Sequence, residues 1–290
     1  LWAQEYVGHF TELCHQNGLL SSIEPYGNGA FDDLQCGSEA DIAMGEFWVG
    51  SRGGDHTKMA ASAMHTHGRK IVGAEAFTAD EAHAKWQADP YSIKALGDTI
   101  YCDGINRFIM HRYAHQPWMN VAPGMTMGPW GTNFERTVTW WKQGAAWLSY
   151  LSRCQFLLQS GLFCADVVFC SGEAGANDLA GRGSLPAGYD YDGCDAGVVL
   201  NRMSVRDGRI VLPDGMSYRV LVMPDSRFMT PEMIRKIEKL VRAGAVVVAP
   251  KPEKSPSLAG YPDCDVRVKQ LADQVWGKCD GKTIKQVRYG

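Results

Sequence analysis

Apolar runs of strand length recur through the first hundred residues, and three of them share one form. Leu19-Leu20-Ser21-Ser22-Ile23 leads into Glu24-Pro25-Tyr26-Gly27, Asp41-Ile42-Ala43-Met44-Gly45 into Glu46-Phe47-Trp48, and Lys70-Ile71-Val72-Gly73-Ala74 into Glu75-Ala76-Phe77-Thr78. A strand buried on both faces of a parallel sheet reads as an unbroken apolar run. Each run therefore predicts a parallel strand closing on a glutamate. The glutamates are 22 residues (24 to 46) and 29 residues (46 to 75) apart, which suits a strand-loop-helix-loop unit. Gly104 to His111 predicts a fourth strand.

Helical periodicity predicts the intervening elements. Leu1 to Asn17 is a helix stopped by Gly18, and His56 to His67 is an Ala- and Met-rich helix. Thr78, with Glu81 three residues on, reads as a helix N-terminus. Ile93 to Cys102 follows with Ser92 as cap, then a long helix from Thr137 to Ser160 with Trp140, Ala145, Trp147, Leu148, Leu151 and Phe156 inward. Asn28–Ala40, Gly50–Asp55 and Val121–Asn133 read as loops.

The pattern changes near Gly161. Ala165–Phe169, Arg219–Pro224 and Ala245–Ala249 read as strands, and Arg209–Gly215 as a hairpin arm and turn. Thr230-Pro231-Glu232 opens a helix that stops at Gly244. Strand, capped helix, strand is a unit of an open doubly wound sheet. The expected fold is α/β, divided into residues 1–160 and 161–290.

Composition narrows the function classes. A net charge of −3 supplies no basic field for nucleic acid, and no apolar run approaches a membrane span of roughly 20 residues. The nine cysteines include no CxxC pair, which disfavours zinc ribbons and predicts buried free thiols. There is no initiator Met, and the chain is read as an internal piece of a longer protein.

The candidate chemistry lies in the glutamates. A carboxylate at the end of a buried run is costly unless it is paired, metal-bound or functional. Three of them, with Tyr26, Trp48 and Phe77 alongside, predict one rim carrying a sugar site, since sugar ring faces stack and hydroxyls need acceptors. Glycoside hydrolysis uses such paired carboxyls. Asn106, His111 and His115 are candidate hydroxyl ligands, the histidines equally readable as satisfied imidazoles on a loop or helix. Asp55-His56 with His65 and His67 make a weak case for zinc. Ser171-Gly172-Glu173 and Gly181-Arg182-Gly183 read as turns, and no GxGxxG follows a strand.

Several blocks together resemble glycoside hydrolase family 106, the α-L-rhamnosidases. They are Glu24-Pro25-Tyr26-Gly27, Gly45-Glu46-Phe47-Trp48, Gly73-Ala74-Glu75-Ala76-Phe77-Thr78, Gly104-Ile105-Asn106-Arg107, His115-Gln116-Pro117, Gly188-Tyr189-Asp190-Tyr191-Asp192, Leu212-Pro213-Asp214-Gly215 and Pro250-Lys251-Pro252. The resemblance implies the C-terminal half of a (β/α)8 barrel, strands five to eight, followed by a partial doubly wound, flavodoxin-like domain. It implies inverting hydrolysis of terminal α-L-rhamnosyl residues of plant or microbial glycans, with Ca²⁺ at the sugar and a periplasmic or extracellular setting. The family's acid lies in an Asp-x-x-Glu stretch, which this sequence lacks. The resemblance therefore places the acid upstream and makes Glu75 the base, with Glu46 as runner-up. Glu24 and Glu46 are candidate calcium ligands by their hard oxygens. A β-galactosidase-like hydrolase of other specificity and a non-catalytic sugar-binding module are the rival readings.

Overall fold

In a computed structural model of the chain, residues 1–27, 29–50, 55–121, 124–126, 128–173, 185–279, 281–283, 286 and 288 are described. Gly181-Arg182-Gly183 and much of the Gly50–Asp55 loop lie outside them. The first part begins with a π-helical stretch, Trp2–Gly8, running into α1 (His9–Gln16). Then come β1 (Ser22–Ile23), α2 (Asp33–Glu39), β2 (Ile42–Val49), α3 (His56–Thr66), β3 (Gly73–Ala79), α4 (Pro90–Cys102), β4 (Arg107–Met110) and α5 (Ala145–Leu158). The strands form one sheet in the order β1-β2-β3-β4, every pair parallel.

The two faces of this sheet differ. Ala43, Phe47, Ala74, Ala76, Phe77 and Phe108 point to the helical side and form a buried core with Ile93, Ile100, Phe134, Trp147 and Leu151. The period of two along a strand sends Met44, Glu46 and Trp48 to the other face. A Cβ on Gly73 would lie 2.6 Å from Met44 and 3.3 Å from Ile109, so these two side chains lean over Gly73 on that face. The next layer is Glu46 opposite Glu75.

Past that pair the register breaks: Trp48 lies opposite Thr78, so β3 carries one more residue than β2. The extra residue is a β-bulge at Ala76-Phe77, and Phe77 takes a left-handed backbone (φ 61°) while its ring is fully buried. An even-numbered residue of β3 is thereby turned to the face of Glu75. Thr78 is in strand, not a helix cap, and Glu46 and Glu75 are mid-strand residues rather than strand ends.

Other expectations shift as well. The loop expected from Asn28 to Ala40 contains α2, capped by the Asp32 carboxylate. Helix α4 starts at Pro90 with Asp89 as cap; Ser92 is the reciprocal member of that capping box. Helix α5 starts at Ala145, and Ala145 and Phe156 face outward. All nine cysteines are free, and Cys102 and Cys164 are exposed.

The second part has β5 (Val167–Cys170), β6 (Tyr191–Cys194), a π-helical turn at Val198–Arg202, β7 (Ser204–Arg206), β8 (Arg209–Val211), β9 (Ser217–Tyr218), β10 (Val220–Val222), α6 (Pro231–Arg242), β11 (Val246–Val248) and α7 (Asp263–Trp276). A parallel sheet runs β11-β10-β5-β6, and β7-β8-β9 is a small antiparallel sheet. Glu173 ends the turn after β5 by latching α6: its carboxylate accepts from Thr230 N at 2.8 Å and Thr230 Oγ1 at 2.6 Å.

Helix α3 lies between the two parts and is buried from Thr57 to Thr66. Gly45 permits its approach to β2, since a Cβ there would meet the His56 and Thr57 backbone at 2.7 Å. On its other side Lys58 pairs with Asp190 at 2.8 Å, and His65 pairs with the buried Asp192 at 2.9 Å. Ser62 accepts from Gly193 N at 2.8 Å, and Tyr218 donates to Asp192 at 2.9 Å. No described helix is long and apolar enough to cross a membrane.

Candidate active site

The inner face of β2 and β3 carries Glu46 and Glu75 side by side. Glu24, just after β1, joins them closely enough to feel both charges. Burial, and then the charge of Glu75, raise its carboxyl above the ordinary range; Tyr26 opposes the rise and Glu46 adds to it. Burial and the same three carboxylates push the Tyr26 phenol upward too.

Three further side chains complete the layer. Thr78, turned inward by the bulge, donates from Oγ1 to Glu75 Oε1. His111, just past β4, has Nδ1 3.8 Å from Glu75 Oε1. His56, the first residue of α3, has Nδ1 3.6 Å from Glu46 Oε1 and stacks on Tyr26, with centroids 4.0 Å apart and planes at 11°. Tyr26 Oη, His56 Nδ1 and His111 Nδ1 are all buried and make no hydrogen bond of normal geometry. Buried polar atoms are ordinarily satisfied. The imidazoles reach their acids only at 3.6 and 3.8 Å and the Tyr26 hydroxyl eases the charge of Glu24, so each carboxylate is met by one loosely engaged donor.

Of the residues singled out by sequence, Glu24, Tyr26, Glu46, Trp48, Glu75 and His111 come together here. Asn106 does not belong with them. It is buried before β4, at the opposite end of the sheet, where its amide is spent accepting from Val72 N at 2.9 Å and donating to Lys70 O at 2.8 Å. That pair pins the entry to β3 and β4. His115 is exposed on the segment after β4, four residues beyond His111. Sequence reading missed His56 and Thr78 as site residues. Gly45 was the available signal for His56, since a glycine inside a strand marks a close approach.

The glycoside hydrolase family described as alpha-L-rhamnosidase, family 106, matches residues 1–290. The chain belongs to that family. A family 106 chain of this kind is similar to a protein of Formosa agariphila named "Putative beta-glucuronidase", 45% identical over 291 residues, which are 100% of this chain and 24% of that protein. It is also similar to the solved rhamnosidase of Novosphingobium sp. PP1Y, with TM-score 0.86 and 28% identity over 98% of this chain and 28% of that one. The chain thus spans about a quarter of the length of these relatives.

The calcium ion that the resemblance to family 106 implies asks for hard oxygen donors. Among the described residues, no three carboxylate, imidazole or thiolate groups are close enough together to hold a metal ion. Glu24 and Glu46 share the layer with imidazoles and a phenol rather than forming an oxygen cage, which a hard cation of six to eight ligands requires. The acidic side chains of the described residues alone do not gather that many oxygens.

Proposed function

We propose that this chain is part of an inverting α-L-rhamnosidase acting on terminal rhamnosyl residues, with Glu75 as general base. The carrying observation is the layer of Glu24, Glu46 and Glu75 with Tyr26, His56 and His111 each set against one of the acids. Thr78 and His111 both approach Oε1 of Glu75, which orients the carboxylate and leaves Oε2 to take a proton from water. The water oxygen then bonds to the anomeric carbon as the glycosidic bond breaks, and the leaving oxygen is protonated by an acid from another part of the longer protein. Glu24 and Glu46 accept from sugar hydroxyls, and the stacked Tyr26–His56 pair forms a wall. Residues 1–160 would then be the later part of the barrel and 161–290 the start of the next domain. Calcium stays a proposal for the longer protein, with no step assigned to it.

A neutral deoxysugar suits this layer better than a uronic acid. Three carboxylates crowd it, and a substrate carboxylate would meet their repulsion. Against this, Arg112, next to His111, spends Nε and Nη2 on the Trp130 and Gly128 carbonyls but keeps a buried Nη1 without a hydrogen bond, a cationic donor open to a substrate carboxylate.

Steady-state kinetics of the longer protein on an aryl α-L-rhamnoside test the assignment. Glu75→Gln is expected to lower kcat by about 10²–10⁴-fold with little change in KM. Glu46→Gln is expected to raise KM. NMR should show β-L-rhamnose first. Near-normal kcat in Glu75→Gln would remove it as base, and α-L-rhamnose first would overturn inversion.

A further inference from the structure

We propose that Trp130 and Trp48 form a subsite for the sugar ring on the leaving-group side of the scissile bond. This rests on the glycosidase reading above and names the part of the substrate that the site grips beyond the terminal sugar.

Trp48 lies one step past Glu46 on the same face of β2, opposite Thr78, the residue that donates to Glu75. It is therefore displaced from the layer of acids toward the C-terminal ends of the strands, where substrate enters and leaves. Trp130 closes on it edge to face, with centroids 5.6 Å apart and planes at 77°. Trp130 is 48% exposed, although the backbone that carries it is firmly held. The buried Arg112 donates to the Trp130 and Gly128 carbonyls. Gly131 N donates to Ala79 O at the end of β3 at 2.8 Å, and Thr132 N donates to His111 O at 3.0 Å. Gly131 (φ 93°) lets this segment press on His111, since a Cβ there would lie 2.8 Å from His111 Nδ1.

An exposed indole on a fixed backbone costs little entropy when it stacks, unlike one on a loose loop. Its face matches the apolar C–H face of a pyranose. The carboxylates hold the terminal sugar in the layer below. The ring above them is the one that departs.

The test compares hydrolysis of α-L-rhamnosyl fluoride, whose leaving group is too small to reach the pair, with an α-L-rhamnosyl-hexopyranose disaccharide and an aryl α-L-rhamnoside. The longer protein and its Trp130→Ala and Trp130→Phe variants are used. In Trp130→Ala, kcat/KM for the disaccharide is expected to fall at least about tenfold more than for the fluoride. Trp130→Phe, which keeps a ring face, is expected to recover most of the difference. Equal losses on both substrates, or none, would overturn the subsite. A loss on the aryl glycoside alone would overturn its assignment to a sugar. If the unaltered protein cleaves β-glucuronides instead of rhamnosides, the rhamnose reading fails, and the same comparison with the matching glucuronides decides the subsite. If it cleaves neither, quenching of tryptophan fluorescence by the hexopyranose decides: quenching lost in Trp130→Ala supports the subsite, and no quenching overturns it.

Discussion

Glu24 bears the electrostatic cost of gathering three acids: burial, then the charge of Glu75, disfavour its ionised form, Tyr26 relieves this in part, and Glu46 adds to it. The folded protein therefore binds a proton at Glu24 more readily than the unfolded chain, whose carboxyl titrates near the ordinary 4.5. Stability from this group is fully present below that value and is lost as pH rises through the higher folded value. Glu24→Gln removes the cost of the ionised state. Its melting temperature in the longer protein is expected to exceed that of the unaltered protein at about pH 8 and to converge on it near about pH 4. A lower melting temperature at alkaline pH would show that the Glu24 charge has a stabilising partner. The three acids were legible in the sequence because each follows an apolar run, where an unpaired charge is costly. Asn106 was misplaced because an amide that binds a sugar and one that pins a loop have the same chemistry, and only position in the sheet separates them. Gly45 signals a close approach to β2 but not which residue makes it, and the partners of His56, Tyr26 and Glu46, are 30 and 10 residues away.

At the scale of elements, two departures from simple periodicity shape the site. The bulge at Ala76-Phe77 costs a left-handed aromatic residue, and strain of this kind persists only where the surroundings over-determine it. Here Phe47, Phe108 and Trp147 pack around the Phe77 ring at centroid distances of 4.9, 5.5 and 5.6 Å. A period of two cannot reveal an inserted residue, and Thr78 with Glu81 looked like a capping box, so the helix start was misjudged while the strand itself was plain. Helix α3 was plain in its extent, but its burial on every side was not, because the Asp190 and Asp192 that meet it lie more than a hundred residues away. Asp192 is fully buried. That burial opposes its charge, but the adjacent His65, Lys58 and the Tyr218 hydroxyl outweigh it and hold the carboxyl below the ordinary range. Asp192→Asn breaks the buried pair with His65 and weakens the bond from Tyr218, while Lys58 keeps Asp190, a loss of about 3–5 kcal/mol. Hydrogen exchange of the α3 amides in the longer protein is expected to quicken by about 100-fold or more, because this helix opens toward the junction it anchors. Unchanged exchange would mean that α3 is held by its strand contacts alone, and that His56 does not depend on the second sheet for its place beside Glu46.

For the whole molecule, the described surface leaves apolar groups uncovered at the open ends of the first sheet. β1 and β4 each have one hydrogen-bonded neighbour, so both are edges. Leu19 and Leu20 beside β1 are 61% and 67% exposed, and Ile109 on the inner face of β4 is 41% exposed. Helix α5 presents Phe156 and Leu157 at 72% and 69%. Unpaired parallel edges with an apolar inner face invite pairing with other chains, and barrel closure is the arrangement that abolishes such edges. The relatives are about four times longer, which leaves ample chain to cover these surfaces. On the proposed reading, in which the closing strands and the acid belong to other parts of a longer protein, the 290 residues produced alone are expected to self-associate, to bind a hydrophobic dye, and to show no rhamnoside hydrolysis. Size-exclusion chromatography with light scattering, alongside an assay on α-L-rhamnosyl fluoride, checks this. The fluoride needs no acid to leave, so it separates the two deficits. A monodisperse chain that cleaves the fluoride would show that β1 to β4 and Glu75 form a competent site without barrel closure, and that the acid alone is missing. A monodisperse chain inactive on the fluoride would place part of the sugar-binding layer on the absent strands. Association that is reversed by the remainder of the protein supplied in trans would identify the edges of β1 and β4 as the surfaces that closure covers.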